Sequence, residues 1–195
     1  MIDTRLRKFV QPAFDEMSKG LVKIKATPDG ITVAAFIVGL GAGILTAYAY
    51  FAAAFVLLWV SGLLDVLDGS VARLQQTASK RGAYMDLVFD RMVEAGIIMG
   101  FYFAFPAYTL AYLLFFVSVL FNFTTFMVAG SLFPNTGEKS MHYDVGIAER
   151  TETFIVFSLM MCFPQAIGPL LMGFNGIIFL TGCIRFYRII KFSEK

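Results

Sequence analysis

Four aspartates fall on two helical stripes within a strongly apolar chain. The first stripe is Asp65, Asp68, Gly69 and Ala72, at i, i+3, i+4 and i+7; the second is Gly82, Asp86 and Asp90, at i, i+4 and i+8. Residues three and four apart share one helix face, so each stripe is a narrow acidic seam with small residues beside it. A carboxylate deep in lipid costs roughly 2.5–3.5 kcal/mol on insertion scales. Packing gives no reason to keep four of them. They call for cations, and for a chemical role.

The elements that must position these seams are membrane helices. The chain has 195 residues, of which 58% are hydrophobic and 15% charged, and its mean hydropathy is +0.72. That excludes a soluble domain. A crossing needs about 20 apolar residues, and no charge occurs from Gly30 through Leu64, Ala95 through Gly137, or Thr153 through Ile184. The expected fold is all-α: one polytopic membrane domain over 1–195, with an N-terminal amphipathic interfacial helix and six transmembrane helices within 28–191. The spans are expected at about 28–47, 51–74, 82–103, 107–130, 149–163 and 167–190.

Local signals support this layout. Thr27-Pro28 reads as an N-cap followed by proline at the first helical position, and Gly39, Gly41 and Gly43 permit close helix packing. Residues 1–26 carry Arg5, Arg7, Lys8, Lys19, Lys23 and Lys25 among Leu6, Phe9, Val10, Phe14 and Met17. This predicts a helix lying on the membrane surface, broken or kinked near Pro12, with no apolar core of a cleavable signal. Cys162 and Cys183 sit in apolar runs and read as buried small hydrophobes, not as a disulfide or a metal site.

Lys and Arg set the orientation. The connections at 47–51, 105–106 and 164–168 contain none, whereas the N-terminal segment, the 75–81 turn, the 131–148 loop and the C-terminal segment hold nearly all. Both termini are therefore expected on the cytoplasmic side of a membrane, a bacterial inner membrane, with the acidic seams at the cytoplasmic end of the second and third spans. His142, in the polar loop, reads as a solvated side chain.

Written out, the segment is D65-VL-D68-G69-SV-A72-R73, eight residues, then G82-AYM-D86-LVF-D90. It resembles the signature of the CDP-alcohol phosphotransferases, D-x2-D-G-x2-A-R-x8-G-x3-D-x3-D, at all eight specified positions. The stretch TPDGIT before the first span is similar to the TPNxIT often found there, with Asp29 in place of Asn, and GIAERTETFIVFSLMMCFP resembles bacterial inner-membrane members.

The resemblance implies transfer of a phosphatidyl group from CDP-diacylglycerol to the hydroxyl of a small polar alcohol, with release of CMP. It implies that Asp65, Asp68, Asp86 and Asp90 hold two divalent cations, Mg²⁺ or Mn²⁺, and that Asp90 is the general base. The chemistry agrees, because carboxylates facing a diphosphate would repel it unless hard cations bridged the two. Gly69, Ala72 and Gly82 lack bulk where the nucleotide approaches, and Arg73 can pair with the diphosphate. Small residues in such stripes also serve plain helix packing, and Arg73 also suits a positive-inside anchor. Glu94 continues the second stripe, either supporting the ligands or pairing with an arginine.

The acceptor is less legible. A phosphorylated alcohol would need cations, and Lys139, Arg150, Arg185 and Arg188 lie on the expected cytoplasmic side. Glu149 and Glu152 flank Arg150, where acidic residues also suit a helix N-terminus. Arg185 and Arg188 are i, i+3 and could present one face together. Besides the lipid donor, the alcohol and the bilayer, the family resemblance favours a homodimer; no nucleic-acid partner is expected. Two alternatives stand beside this reading: the reverse pairing of CDP-alcohol with diacylglycerol, and a divalent-cation transporter using the same carboxylates. The acidic residues cluster at one membrane edge and do not line a path across, which disfavours transport.

Overall fold

The computed structural model describes residues 2–132 and 150–193, with side chains over 13–132 and 151–191. The helices are α1 (Ile2–Lys23), α2 (Pro28–Ala47), α3 (Phe51–Leu74), α4 (Lys80–Ala104), α5 (Thr109–Leu132), α6 (Arg150–Cys162) and α7 (Ile167–Ser193). Short 3₁₀ turns, Pro106–Tyr108 and Pro164–Ala166, lead into α5 and α7, and no strand occurs among the described residues. The polar loop with Lys139, His142 and Glu149 lies outside them.

Local chemistry explains the helix ends. Thr27 caps α2, accepting from the Gly30 amide at 3.2 Å, and Pro28 follows at the first position. Ser79 caps α4 in the same way, accepting from the Gly82 amide at 3.0 Å, so α4 starts at Lys80 and not at Gly82. Of the break or kink expected near Pro12, the break is not found: α1 is a single helix of 22 residues. A proline inside a helix removes one backbone hydrogen bond and crowds the preceding turn, at a cost of about 3 kcal/mol.

Four helical segments are long and apolar enough to cross a membrane: Pro28–Ala47, Phe51–Leu74, Pro106–Leu132 and Pro164–Lys191. The protein is an integral membrane protein. Of the other two expected spans, α4 is long but carries Lys80, Arg81, Asp86, Asp90, Arg91 and Glu94, and α6 has 13 residues.

The chain forms two compact units, Ile2–Ala107 and Tyr108–Lys195. In the first, α2 packs against both α3 and α4, and α1 against α3. Glycine makes the α2–α4 crossing close. A Cβ on Gly43 would lie 2.7 Å from the Gly96 carbonyl oxygen, and one on Gly100 would be driven into the Gly43 carbonyl. A Cβ on Gly39 would lie 2.6 Å from Val93. Gly39 and Gly43, like Gly96 and Gly100, are four apart, so each helix presents a strip of bare backbone to the other. Gly41 differs: its Cβ would lie 3.4 Å from Leu57, an ordinary contact. Ser61 of α3 donates to the Ala35 carbonyl of α2 at 2.7 Å, and Phe36 stacks on Phe89 with ring centroids 4.3 Å apart.

In the second unit α5 and α7 pack together, with α6 on α7. A Cβ on Gly182 would lie 2.7 Å from the Phe121 ring, and the Asn175 side chain donates to the Ala111 carbonyl at 2.8 Å. Phe115 is buried against Phe157 and Phe174. Both cysteines are free, but neither is buried as expected: Cys162 is exposed and Cys183 half-buried. In a bilayer, an apolar thiol facing lipid is as well solvated as one facing the core.

Gly100→Ala is expected to destabilise the protein by about 1–3 kcal/mol, the usual cost of overpacking, because its new methyl meets a backbone that cannot yield. Gly41→Ala should leave stability unchanged or slightly raised, since alanine is the better helix former. Thermal unfolding of the two variants in detergent checks the contrast.

Candidate active site

The two seams come together across helices whose backbones stay apart. α2 packs closely on both α3 and α4, whereas α3 and α4 make few close backbone approaches to each other. One carboxylate oxygen each from Asp65 and Asp68 of α3 and Asp86 of α4 lies within 4.8 Å of the others. Asp68 is 7% exposed, and Asp65 and Asp86 are half-buried. At an effective dielectric near 20, two unit charges so spaced repel by about 3–4 kcal/mol. Such an array of hard oxygen donors suits a divalent cation, which removes the repulsion. Asp90, one turn beyond Asp86, is half-buried and stands outside this group of three.

The small residues leave room where expected. A Cβ on Gly69 would meet only the tip of Arg73, at 3.5 Å, and one on Gly82 would lie 3.4 Å from Ser79 and 3.7 Å from Asp29. Neither glycine is forced by packing, unlike those on the α2–α4 seam. Ala72 is half-buried beside them. Arg73 is exposed and folds back along α3, donating to the Ser70 hydroxyl at 2.9 Å. The Ser70 hydroxyl in turn lies 3.0 Å from the Val66 carbonyl, which accepts its proton.

Two contacts were not anticipated from the sequence. The Thr32 hydroxyl of α2 lies 2.5 Å from Asp68 Oδ2, in a buried setting. Arg81 reaches Asp29 at 3.4 Å, an exposed pair at the adjoining starts of α4 and α2. The signal for the first was present, because Thr32 closes the TPDGIT stretch, but only the packing of α2 on α3 brings it to Asp68. Of the two readings of Glu94, the structure supplies the pairing: its buried carboxylate lies 2.7 Å from Arg91 of the same helix.

In the second unit the arginines part company. Arg185 is 8% exposed. Its guanidinium donates to the Asn122 carbonyl at 3.0 Å and to the Asn122 side-chain oxygen at 2.8 Å, and lies 5.3 Å from the centre of the Phe126 ring. Arg188 is exposed, so the pair does not share one environment. Glu152 is half-buried in the first turn of α6. The side chain of Arg150 lies outside those described.

A helical membrane protein with acidic residues converging from two adjacent helices is the class that fold and site define. The chain belongs to the CDP-alcohol phosphatidyltransferase family, matching it over residues 25–185; it is therefore a transferase, and the transport alternative falls away. It is 30% identical over 189 residues to the inner membrane protein YnjF of Escherichia coli, covering 93% of this chain and 91% of that one. It is 27% identical over 145 residues to the phosphatidylinositol phosphate synthase of Mycobacterium marinum, covering 72% and 60% of the two chains. In fold it is similar to the Mycobacterium tuberculosis phosphatidylinositol phosphate synthase solved with CDP-DAG bound, with a TM-score of 0.77 at 20% identity over 90% of this chain and 92% of that one. The same mycobacterial enzyme has been solved with manganese and citrate.

Arg185→Gln is expected to lower stability by about 1.5–3 kcal/mol, the range for hydrogen bonds to charged groups, since Asn122 loses its cationic donor. Arg188→Gln should stay within about 0.5 kcal/mol of wild type, as exposed substitutions do. Chemical denaturation in detergent measures both.

Proposed function

We propose that this protein transfers a phosphatidyl group from CDP-diacylglycerol to the hydroxyl of a small polar alcohol and releases CMP. The observation that carries this reading is the approach of Asp65, Asp68 and Asp86 to within 4.8 Å, in a chain of the CDP-alcohol phosphatidyltransferase family. Two divalent cations, Mg²⁺ or Mn²⁺, held by these three and Asp90, would supply charge neutralisation and polarisation of the phosphate oxygens when bound. The donor set fits them, being carboxylate oxygen throughout.

The residues divide the work by position. Gly69, Ala72 and Gly82 leave space for the nucleotide, and Arg73 pairs with the diphosphate. The acceptor oxygen attacks the phosphorus that carries the diacylglycerol, and the bond from that phosphorus to the CMP oxygen breaks. Asp90 takes the hydroxyl proton. Its place outside the tight trio suits this role, since a base needs a lone pair directed at the acceptor. Acceptor contacts are assigned to Arg150, Glu152, Arg185 and Arg188. Because Arg185 is also held by Asn122, its effect on the acceptor KM must be read on folded protein.

Helices α2 to α7 are assigned as six crossings, with α1 on the membrane surface, both termini and the site on the cytoplasmic side, and a homodimer as the working assembly.

Purified protein should release CMP from CDP-diacylglycerol only when alcohol and divalent metal are both present. Excess chelator should abolish the reaction, and Mg²⁺ or Mn²⁺ should restore it; full activity in chelator would overturn the metal reading. Asp68→Asn is expected to weaken donor binding through lost metal. Asp90→Asn should largely keep donor binding while turnover falls by ~10²–10⁴, the usual loss for a general base. Donor affinity by equilibrium binding and single-turnover CMP release separate the two roles. Equal loss of donor binding in both variants would make Asp90 chiefly a ligand.

A further inference from the structure

We propose that Thr32 is a positioning residue of this site: its hydroxyl fixes the carboxylate of Asp68 for metal binding. This rests on reading the aspartate cluster as a divalent metal centre. Hydroxyls inside helices commonly donate to the carbonyl four residues back. Thr46, Thr181 and Ser70 do so here, at 2.8, 2.8 and 3.0 Å from the carbonyls of Ala42, Ile177 and Val66. Thr32 has the same option, because the Pro28 carbonyl lies 3.0 Å from its Oγ1. Yet Asp68 Oδ2 lies closer, at 2.5 Å. A hydroxyl has one proton to give. The shorter contact to a charged acceptor takes it, within the roughly 2.5–2.7 Å range of charge-assisted O–H···O⁻ bonds.

Both partners are buried, with Thr32 5% and Asp68 7% exposed, so water does not compete for the bond. One oxygen of Asp68 is thereby tied to α2, which restricts how the carboxylate can turn. The anchor comes from the helix that packs on both α3 and α4. Thr32 therefore ties the orientation of an α3 ligand to the element that also places Asp86. Partners behind a metal ligand typically contribute 10–100-fold to metal affinity.

The test is Mn²⁺ binding to the purified full-length protein, followed by the electron paramagnetic resonance signal of free Mn²⁺. Wild type is compared with Thr32→Val, which keeps the shape and loses the hydroxyl, Thr32→Ser, which keeps the hydroxyl, and Asp68→Asn. Thr32→Val should bind Mn²⁺ roughly 10–100-fold more weakly, with a lower metal-free melting temperature because the buried Asp68 carboxylate loses its donor, and Thr32→Ser should restore affinity. If Thr32→Val does not fold, Thr32→Ala takes its place with the same expectation. Wild-type affinity in a folded variant lacking the hydroxyl, with affinity lost in Asp68→Asn, would overturn the role of Thr32 and leave the metal centre standing. No Mn²⁺ binding by wild type, or unchanged binding by Asp68→Asn, would overturn the metal reading and this inference with it.

Discussion

Like charges held close together in a poorly solvated place are the constraint on which the first unit is built. Asp65, Asp68 and Asp86 stand within 4.8 Å of one another. Left to themselves, their helices would be driven apart, and a carboxylate's cheapest escape is to rotate toward water or take up a proton. The fold answers with a third helix. α2 grips both α3 and α4, whose backbones make few close approaches to each other. The acidic seams of α3 and α4 are thus brought together by a helix that packs on both.

That grip explains the two uses of small residues in this chain. On the α2–α4 seam, Gly43, Gly96 and Gly100 bring backbone against backbone, Gly39 makes room for the Val93 side chain, and a single methyl on Gly43 or Gly100 meets a carbonyl. Without a hydrophobic drive between helices in lipid, such close van der Waals contact is what holds them. On the site face, Gly69 and Gly82 meet only flexible side-chain tips or ordinary contacts. Their smallness serves open space. The same residue type is structural on one face and permissive on the other, and the direction in which each glycine points decides which.

The second unit handles a cation in a similar setting by other means. Arg185 is buried on α7, where an arginine is expensive unless its donors are met. Asn122 on α5 supplies two oxygens and Phe126 an aromatic face. The arrangement fastens α5 to α7 by a polar link within an otherwise apolar contact, which fixes register where greasy surfaces alone would slide.

Sequence by itself determined the helical class, the membrane setting and the acidic motif, because these depend on local properties. The bounds of α2 and α3 follow from Thr27-Pro28 and from unbroken apolar runs, and the stripes of Asp65, Asp68, Asp86 and Asp90 follow from the 3.6-residue period. The family signature is a matter of spacing and needs no fold. Tertiary structure decided what depends on which helix meets which. Thr32 meets Asp68, 36 residues away in the chain, only where α2 lies against α3. Gly100 looks like an ordinary span residue until the Gly43 carbonyl on α2 is in place. Arg185 and Arg188 share a nominal face by spacing, yet Asn122, 63 residues earlier, draws one inward and leaves the other exposed. Periodicity gives the face of a helix that a residue occupies; only packing supplies the partner on the other side, and the energy of a buried polar group lies in that partner.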